Sequence, residues 1–460
     1  DMIRYNMILM LLLLGCISIN AQEQSSWIKI DGYEAHSSHI LARFKAAHDS
    51  PHSLDKQQTA VLSNTGLRVI KGFTAHPGLV VLDNLPSKFK PKAGYNPVLS
   101  DPADLLKEKI IELEKSGLFH YVQPDYVYKT TLNAEDPSYV DGSMWGHSNT
   151  GQNGGIANAD ADVDLAWDYT TGSDDVVVAV IDTGVRYTHQ DLVEQMWSNT
   201  AEIPANGIDD DNNGWVDDIH GINAIQDTGD PLDVDDHGTG VAGVIGAQAN
   251  DVGIVGVAWD VQIMGLKFLS AFGGLDSDGI ECIDYAVEMG ADIINASWGG
   301  GPYSQALFDS ISNAQNNGVL FVAASGNDGL NTDIFPHYPS NYDLDNIISV
   351  AAMDRFDRLA NFSNYGNITT DIAAPGVEIY TTGSGDPSDS GGSVLPPDED
   401  YDFFDGTSFA APYVTGVAAL IKSLFPDSLA KEIKDRILSS AVSSPAFASK
   451  VGTNGRFNAF

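Results

Sequence analysis

The sequence predicts an α/β protein: an open, mostly parallel sheet with helices on both faces, preceded by a small βαββαβ α+β unit. Two observations carry this. Beyond the polar link Thr131–Asp136, apolar residues come in continuous runs rather than alternating ones, as strands buried on both faces require. Ahead of the link, shorter strand-like and helix-like pieces follow one another, the order of a small open sheet with helices on one face.

In the N-terminal part, Trp27–Ile30 reads as a strand and Ser38–Ala47 as a helix. Leu67–Phe73 and Gly78–Asp83 read as two further strands. Asp101-Pro102 opens an amphipathic helix with Leu106, Ile110 and Leu113 on one side and Gly117 as its stop, and Phe119–Lys129 closes the unit as a strand. In the later part the continuous runs are Val176–Ile181, Ile263–Phe268, Ile293–Ala296, Val319–Ala323 and Ile347–Ala351, with helices expected at Gly279–Met289 and Gln305–Asn316. An open parallel sheet binds ligands at the carboxyl ends of its strands. Asp182, Ser297 and Asn327 stand at or just past such ends.

Three segments carry candidate chemistry: Val180-Ile181-Asp182-Thr183-Gly184, Asp236-His237-Gly238-Thr239-Gly240-Val241-Ala242-Gly243 and Gly406-Thr407-Ser408-Phe409-Ala410-Ala411-Pro412. Amide hydrolysis by a serine needs an adjacent base, and a histidine base needs a carboxylate to fix its tautomer. Taken alone, each segment also fits a strand-end turn, a helix start or a cap. Together they run in the order Asp, His, Ser, the order that distinguishes subtilisin from chymotrypsin and the α/β-hydrolases.

These segments resemble the signature motifs of the subtilase family of serine peptidases, over roughly Asp136–Ala459. Gly240 replaces a second histidine common in that family, and Phe409 stands where methionine is commonest. The ending Gly455–Ala459 resembles the family's closing segment, so a complete catalytic domain is expected. The resemblance implies a subtilisin-like fold and an endopeptidase with Asp182, His237 and Ser408 as its triad. Ala323–Gly329 matches the oxyanion segment, with Asn327 as the side-chain donor, while Ser408 would open a small-residue helix over Ser408–Leu420 whose N–H groups face the reacting centre.

The same likeness sets the groove. Ser297-Trp298-Gly299-Gly300 and Ala324-Ser325-Gly326 resemble its two edges, with Trp298 as an apolar wall and His337 near the floor of the first pocket. An extended protein or peptide substrate would add there as a strand. Asp209–Asp218 resembles an EF-hand-like calcium loop, with Asp209, Asp211 and Asn213 as first ligands; His220 holds the twelfth position, so closure comes from Asp217 or Asp218 or is absent. Asp191 and Asn250 match a second family calcium site. Such Ca2+ ions are structural, and the triad chemistry itself calls for no cofactor. Tyr121–Tyr126 resembles the last strand of subtilase propeptides, which makes residues 22–132 an intramolecular inhibitor and chaperone, and residues 133–460 a monomeric catalytic domain.

The leader has one cation, Arg4, and an apolar run Met7–Ile19 too short for a comfortable span. Residues 1–21 read as an export signal cut after Ala21. Alternatively, Leu13-Leu14-Gly15-Cys16 resembles a lipoprotein box that would anchor the protein at the cell envelope through Cys16. Both routes export it. The other cysteine, Cys282, falls in an apolar helical stretch as a small filler.

Sixty-three acidic residues against 24 basic give a net charge of −39. Residues 22–129 hold 13 basic and 12 acidic side chains, so residues 130–460 carry the excess. A surface of this sign repels phosphate backbones and anionic lipid, which argues against nucleic-acid and peripheral-membrane binding. No G-x-G-x-x-G follows the first buried strand, which argues against a dinucleotide site. A calcium-binding scaffold without activity would keep the fold but has no need of all four catalytic side chains.

Overall fold

The computed structural model describes residues 27–30, 33–45, 54–73, 75–84, 102–126, 134–385 and 400–460. The leader with Cys16, the cap Asp101 and the link at 127–133 lie outside them. The chain divides into two compact units, 1–130 and 131–460.

The first unit runs β1 (Trp27–Ile30), β2 (Tyr33–Phe44), α1 (Lys56–Thr65), β3 (Leu67–Gly72), β4 (Leu79–Asn84), α2 (Pro102–Lys115) and β5 (Phe119–Tyr126). Its antiparallel sheet has the order β1-β2-β4-β3, with β5 also on β2. Over Ser38–Phe44 the helix expected at Ser38–Ala47 is instead the strand β2, Ala46 and Ala47 lying outside the described residues, and the order becomes ββαββαβ. The reason is hydrogen bonding on both sides: Ile40 pairs with Leu82 of β4 and with Pro124 of β5. Ile40, Ala42 and Phe44 turn into the core at every second residue, so tertiary pairing overrides the helix-permissive local composition. The first helix lies further on, where Asp55 and Gln58 form a capping box and Gly66 ends α1 in the left-handed region. Leu62, Leu106 and Leu113 join both helices to the sheet core.

The second unit runs β6 (Gly172–Asp182), β7 (Gly221–Asn223), α3 (His237–Gly246), β8 (Asp260–Lys267), α4 (Asp276–Glu288), β9 (Ile293–Ala296), α5 (Gln305–Asn316), β10 (Leu320–Ala324), β11 (Ile347–Asp354), β12 (Arg358–Leu359), β13 (Ile372–Pro375), β14 (Ile379–Thr382), β15 (Tyr401–Phe404), α6 (Thr407–Leu424), α7 (Ala430–Ser439), β16 (Val442–Ser443) and β17 (Gly455–Arg456). The large sheet has the order β16-β17-β13-β11-β10-β9-β6-β8-β7, parallel throughout except where β12 and β16 pair antiparallel at β11 and β17. Side chains of α3 and α6 fill one core layer, those of α4 and α5 the other, so helices cover both faces. The chain leaves β6 for β7 and β8 on one side and returns to β9 on the other. The carboxyl end of β6 is therefore a topological switch point, where open sheets leave a crevice. Asp182 ends that strand.

Cys282 is fully buried on α4 and unpaired, and burial pushes its thiol well above the usual range, which removes it as a nucleophile. Among the described residues no helix is long and apolar enough to cross a membrane.

Candidate active site

Three elements converge at the switch point. Asp182 is fully buried at the end of β6, and its Oδ1 accepts from Thr183 N and from His237 Nδ1, both at 2.7 Å. His237 opens α3. Donation from Nδ1 assigns the tautomer and leaves Nε2 as the proton acceptor. The imidazole is about one-third exposed. Its pKa is raised: burial opposes the charge, but the Asp182 carboxylate and its hydrogen bond, together with Asp233, outweigh it. This closeness depends on a missing side chain. A methyl group at Gly238 would collide with the Gly184 carbonyl and lie 3.1 Å from Asp182 Cβ.

Ser408 is the second residue of α6 and 8% exposed. Its Oγ donates to the Ser297 carbonyl (2.9 Å) while Ser297 Oγ donates to the Ser408 carbonyl (2.7 Å). His237 meets the neighbouring Phe409 edge-on, ring centroids 5.4 Å apart. No hydrogen bond joins Ser408 to His237; such bonds commonly tighten only once substrate is present.

Asn327, just past β10, has a fixed amide. Its Oδ1 accepts from Thr407 N and Thr407 Oγ1, both at 2.9 Å, which turns Nδ2 the other way. A methyl group at Gly406 would lie 3.5 Å from Ser408 N, 3.6 Å from Asn327 Nδ2 and 3.7 Å from Ser408 Cβ. Gly406 (φ +155°) lacks that methyl, so these groups border an open cradle at a helix N-terminus. The setting suits an oxyanion.

The edges Ser297–Gly300 and Ala324–Gly326 flank this point. His337 (8% exposed) lies between them: a methyl at Gly326 would come within 2.6 Å of its Nε2, and one at Gly299 would collide with its Cε1. Burial lowers its pKa, with Asp328 pulling the other way. Ser325 is fully buried, its hydroxyl donating to the Asn364 carbonyl. The Trp298 indole donates to the Ile181 carbonyl (2.8 Å) and meets Phe268 edge-on. It also walls a cavity of about 250 Å³ with Phe268, Leu275, Leu307 and Tyr338.

The acidic loop assembles differently from its expected ligand pattern. Carboxylate oxygens of Glu202, Asp209 and Asp211 come within 4.8 Å of one another. Asn213 lies beside them, its amide donating to Asp211 (3.2 Å) and to Asp218 (2.9 Å). Asp217 is not brought in. With φ +54°, it caps the backbone N–H groups of Asn206 and Gly207 instead. Glu202 has no counterpart in the loop's own spacing, so the sequence pattern gave no signal for it. Asp191 and Asn250 do meet, Nδ2 to Oδ1 at 3.3 Å. Asp136, unforeseen there, is fully buried, accepts from Asn250 N (3.1 Å) and leaves Oδ2 without a partner. Burial pushes the Asp191 carboxyl up to about 6 and raises that of Asp136.

Fold and site together define a class: a parallel α/β sheet whose switch point holds an Asp–His pair beside a helix-borne serine. The chain belongs to the subtilase family, whose model matches residues 173–459. It is 36% identical over 313 residues to a thermophilic serine proteinase of Bacillus sp. (strain AK1), covering 68% of this chain and 65% of that protein. With subtilisin-like protease 1 of Plasmodium berghei (strain Anka) it shares 33% over 300 residues, covering 60% of this chain and 48% of that protein. The chain thus spans less than two thirds of either relative. Among solved structures, a protease from Pseudoalteromonas arctica is similar with a TM-score of 0.57 and 28% identity, covering 72% of this chain and 98% of that one. A cold-adapted subtilisin-like serine proteinase gives 0.50 and 26%, covering 64% and 90%.

Proposed function

We propose that this chain is an exported serine endopeptidase, made as a self-processing zymogen, that hydrolyses peptide bonds in proteins through Asp182, His237 and Ser408. The Asp182–His237 hydrogen bond at 2.7 Å carries the reading, because it supplies a base of the right tautomer next to a serine beside an open cradle. Rotation about χ1 takes Ser408 Oγ off the Ser297 carbonyl and towards Nε2. Oγ then attacks the carbonyl carbon while its proton passes to Nε2. The oxyanion sits against Ser408 N–H and Asn327 Nδ2. Collapse breaks the C–N bond, the imidazolium returns its proton to the leaving amine, and an acyl ester remains on Ser408. Water, deprotonated by the same imidazole, attacks that ester; its C–O bond breaks, the carboxylic acid leaves and the imidazolium returns the proton to Ser408 Oγ.

Substrate would lie extended between the 297–300 and 324–326 edges, with an apolar side chain in the cavity against Trp298. His337 fills space at the base of the groove and shortens the pocket between the edges. Fluorophosphonate treatment of the processed protein is expected to leave one adduct, located by mass spectrometry on Ser408. An adduct elsewhere, or none in protein that cleaves casein, rejects the assignment.

The N-terminal unit, with a sheet and core of its own, would serve as the inhibitor, released by a cut near the 127–133 link. Its near-neutral charge sets it apart from the acidic remainder. Export follows from the leader, either as a freely secreted protein or lipid-anchored at Cys16.

Both acidic groups fit calcium. Their donors are all oxygen, among the described residues no Lys, Arg or His pairs with Glu202, Asp209, Asp211, Asp136 or Asp191, and Asp136 Oδ2 is a buried oxygen without a partner. Bound Ca2+ would neutralise carboxylates that otherwise repel one another, stabilising the fold without entering the reaction. At a hundredfold excess over Kd one ion is worth about 2.7 kcal/mol, or roughly 5 °C in Tm for a unit of this size. Chelation should lower the calorimetric midpoint by that order and re-added calcium should restore it. An unchanged midpoint removes both sites.

A further inference from the structure

Asp233 lies in the loop between β7 and α3, ahead of His237, and is only 3% exposed. No cation pairs with it among the described residues. One carboxylate oxygen accepts from Thr239 N (3.0 Å) and Thr239 Oγ1 (2.6 Å), the other from Asp235 N (2.9 Å). Thr183 Oγ1 accepts in turn from Gly238 N (2.8 Å), and Thr239 Oγ1 from Arg186 N (3.0 Å). Thr183 is the residue after Asp182. Gly238 and Thr239 belong to the first turn of the helix that His237 opens. A single buried carboxylate therefore holds the start of the His237 helix directly, and through Thr239 Oγ1 and Arg186 N it reaches the segment that follows Asp182.

The loop is held from two further sides. Val185 N donates to the Pro231 carbonyl (2.9 Å), and from β8 Lys267 Nζ donates to the Leu232 carbonyl (3.2 Å). A methyl at Gly184 would lie 3.1 Å from Asp233 N, so the loop backbone presses on the strand end.

We infer that Asp233 is a positioning residue, which sets Asp182 against His237 through Thr239 without touching substrate. The inference rests on the peptidase reading. Burying a carboxylate is costly unless hydrogen bonds compensate, and here they come from the segments that must stay in register. The groups facing His237 are Asp182 from β6, Asp233 from the loop and uncharged Phe409 from α6. Those facing Asp233 are Thr183, Thr239 and Asp235, with Lys267 acting through Leu232. Asp233 also works with Asp182 to favour the imidazolium against burial, so its loss has a signature that mere loosening lacks.

The test compares processed wild-type enzyme with Asp233→Asn, Thr239→Val and Ser408→Ala. Asp233→Asn should lower kcat/KM roughly 10- to 100-fold, mostly in kcat, as expected of small misplacements at a reacting centre. Its acid limb should move to lower pH. Thr239→Val keeps the charge but loses a tether, so kcat should fall with the acid limb unmoved. Wild-type kcat and an unmoved limb in folded Asp233→Asn overturn the inference, and if that variant does not fold, wild-type kcat in Thr239→Val does. Undiminished activity in Ser408→Ala instead overturns the peptidase reading. In that event the NMR titration of the His237 imidazole, with and without Asp233→Asn, decides the positioning role: an unchanged midpoint rejects it and a lowered one supports it.

Discussion

Replacing Ser408 with alanine is expected to lower kcat for peptide hydrolysis by about 10⁶-fold, a size carried over from subtilisin itself, a relative of this chain. The loss is expected to be large because, in the proposed mechanism, the hydroxyl is the nucleophile whose proton His237 takes. The remaining groups should retain a residual acceleration of about 10³–10⁴ over water, since the cradle between Ser408 N and Asn327 Nδ2 survives in Ser408→Ala. The precursor should also stay full length on a denaturing gel, because the same hydroxyl would cut its own link. A variant that matures and hydrolyses casein at the wild-type rate sinks the mechanism.

Asp182→Asn comes next, with an expected loss in kcat of about 10⁴, the size known for the equivalent change in the trypsin-type triad. An asparagine amide would donate to Nδ1 and push the ring proton to Nε2, the position that must accept from Ser408. The pH profile adds a sign. In the wild type the raised imidazole pKa means that activity should develop as pH climbs through a value above that of free histidine, because in the proposed mechanism the neutral ring is the base. Asp182 provides the leading upward pull against burial; without it burial dominates, and the acid limb of the residual activity should fall to lower pH. A residual rate whose acid limb stays in place would show that Asp182 does not set the imidazole.

Much of this was readable from residue order. Ile293–Ala296 is a strand to the residue: its run is broken only by Asn295, which is buried with its neighbours because its amide bonds Ser297 Oγ and Thr415 Oγ1. The segments around Asp182, His237 and Ser408 were readable because each combines a chemical group with a glycine, demanded by backbone contact at Gly184 and Gly238 and by a positive φ at Gly406. Ser38–Ala47 was not: a strand hydrogen-bonded on both edges gains from partners that local composition does not reveal. Glu202 and Asp136 escaped for the same reason, as each reaches its cluster through space and no fixed spacing links it to the other members. Asp217 shows the converse, since its spacing suited a ligand while its left-handed backbone turned it onto a neighbouring turn.

The approach of Gly238 to the Gly184 carbonyl and Asp182 Cβ has one more consequence. Main chain rests on main chain there, so the backbones that carry acid and base are held at a fixed separation while strand and helix hold. Such a joint wears out only with the scaffold itself. Inactivation by heat should then track unfolding of the catalytic unit as one event, with no earlier stage in which an intact fold has lost its alignment.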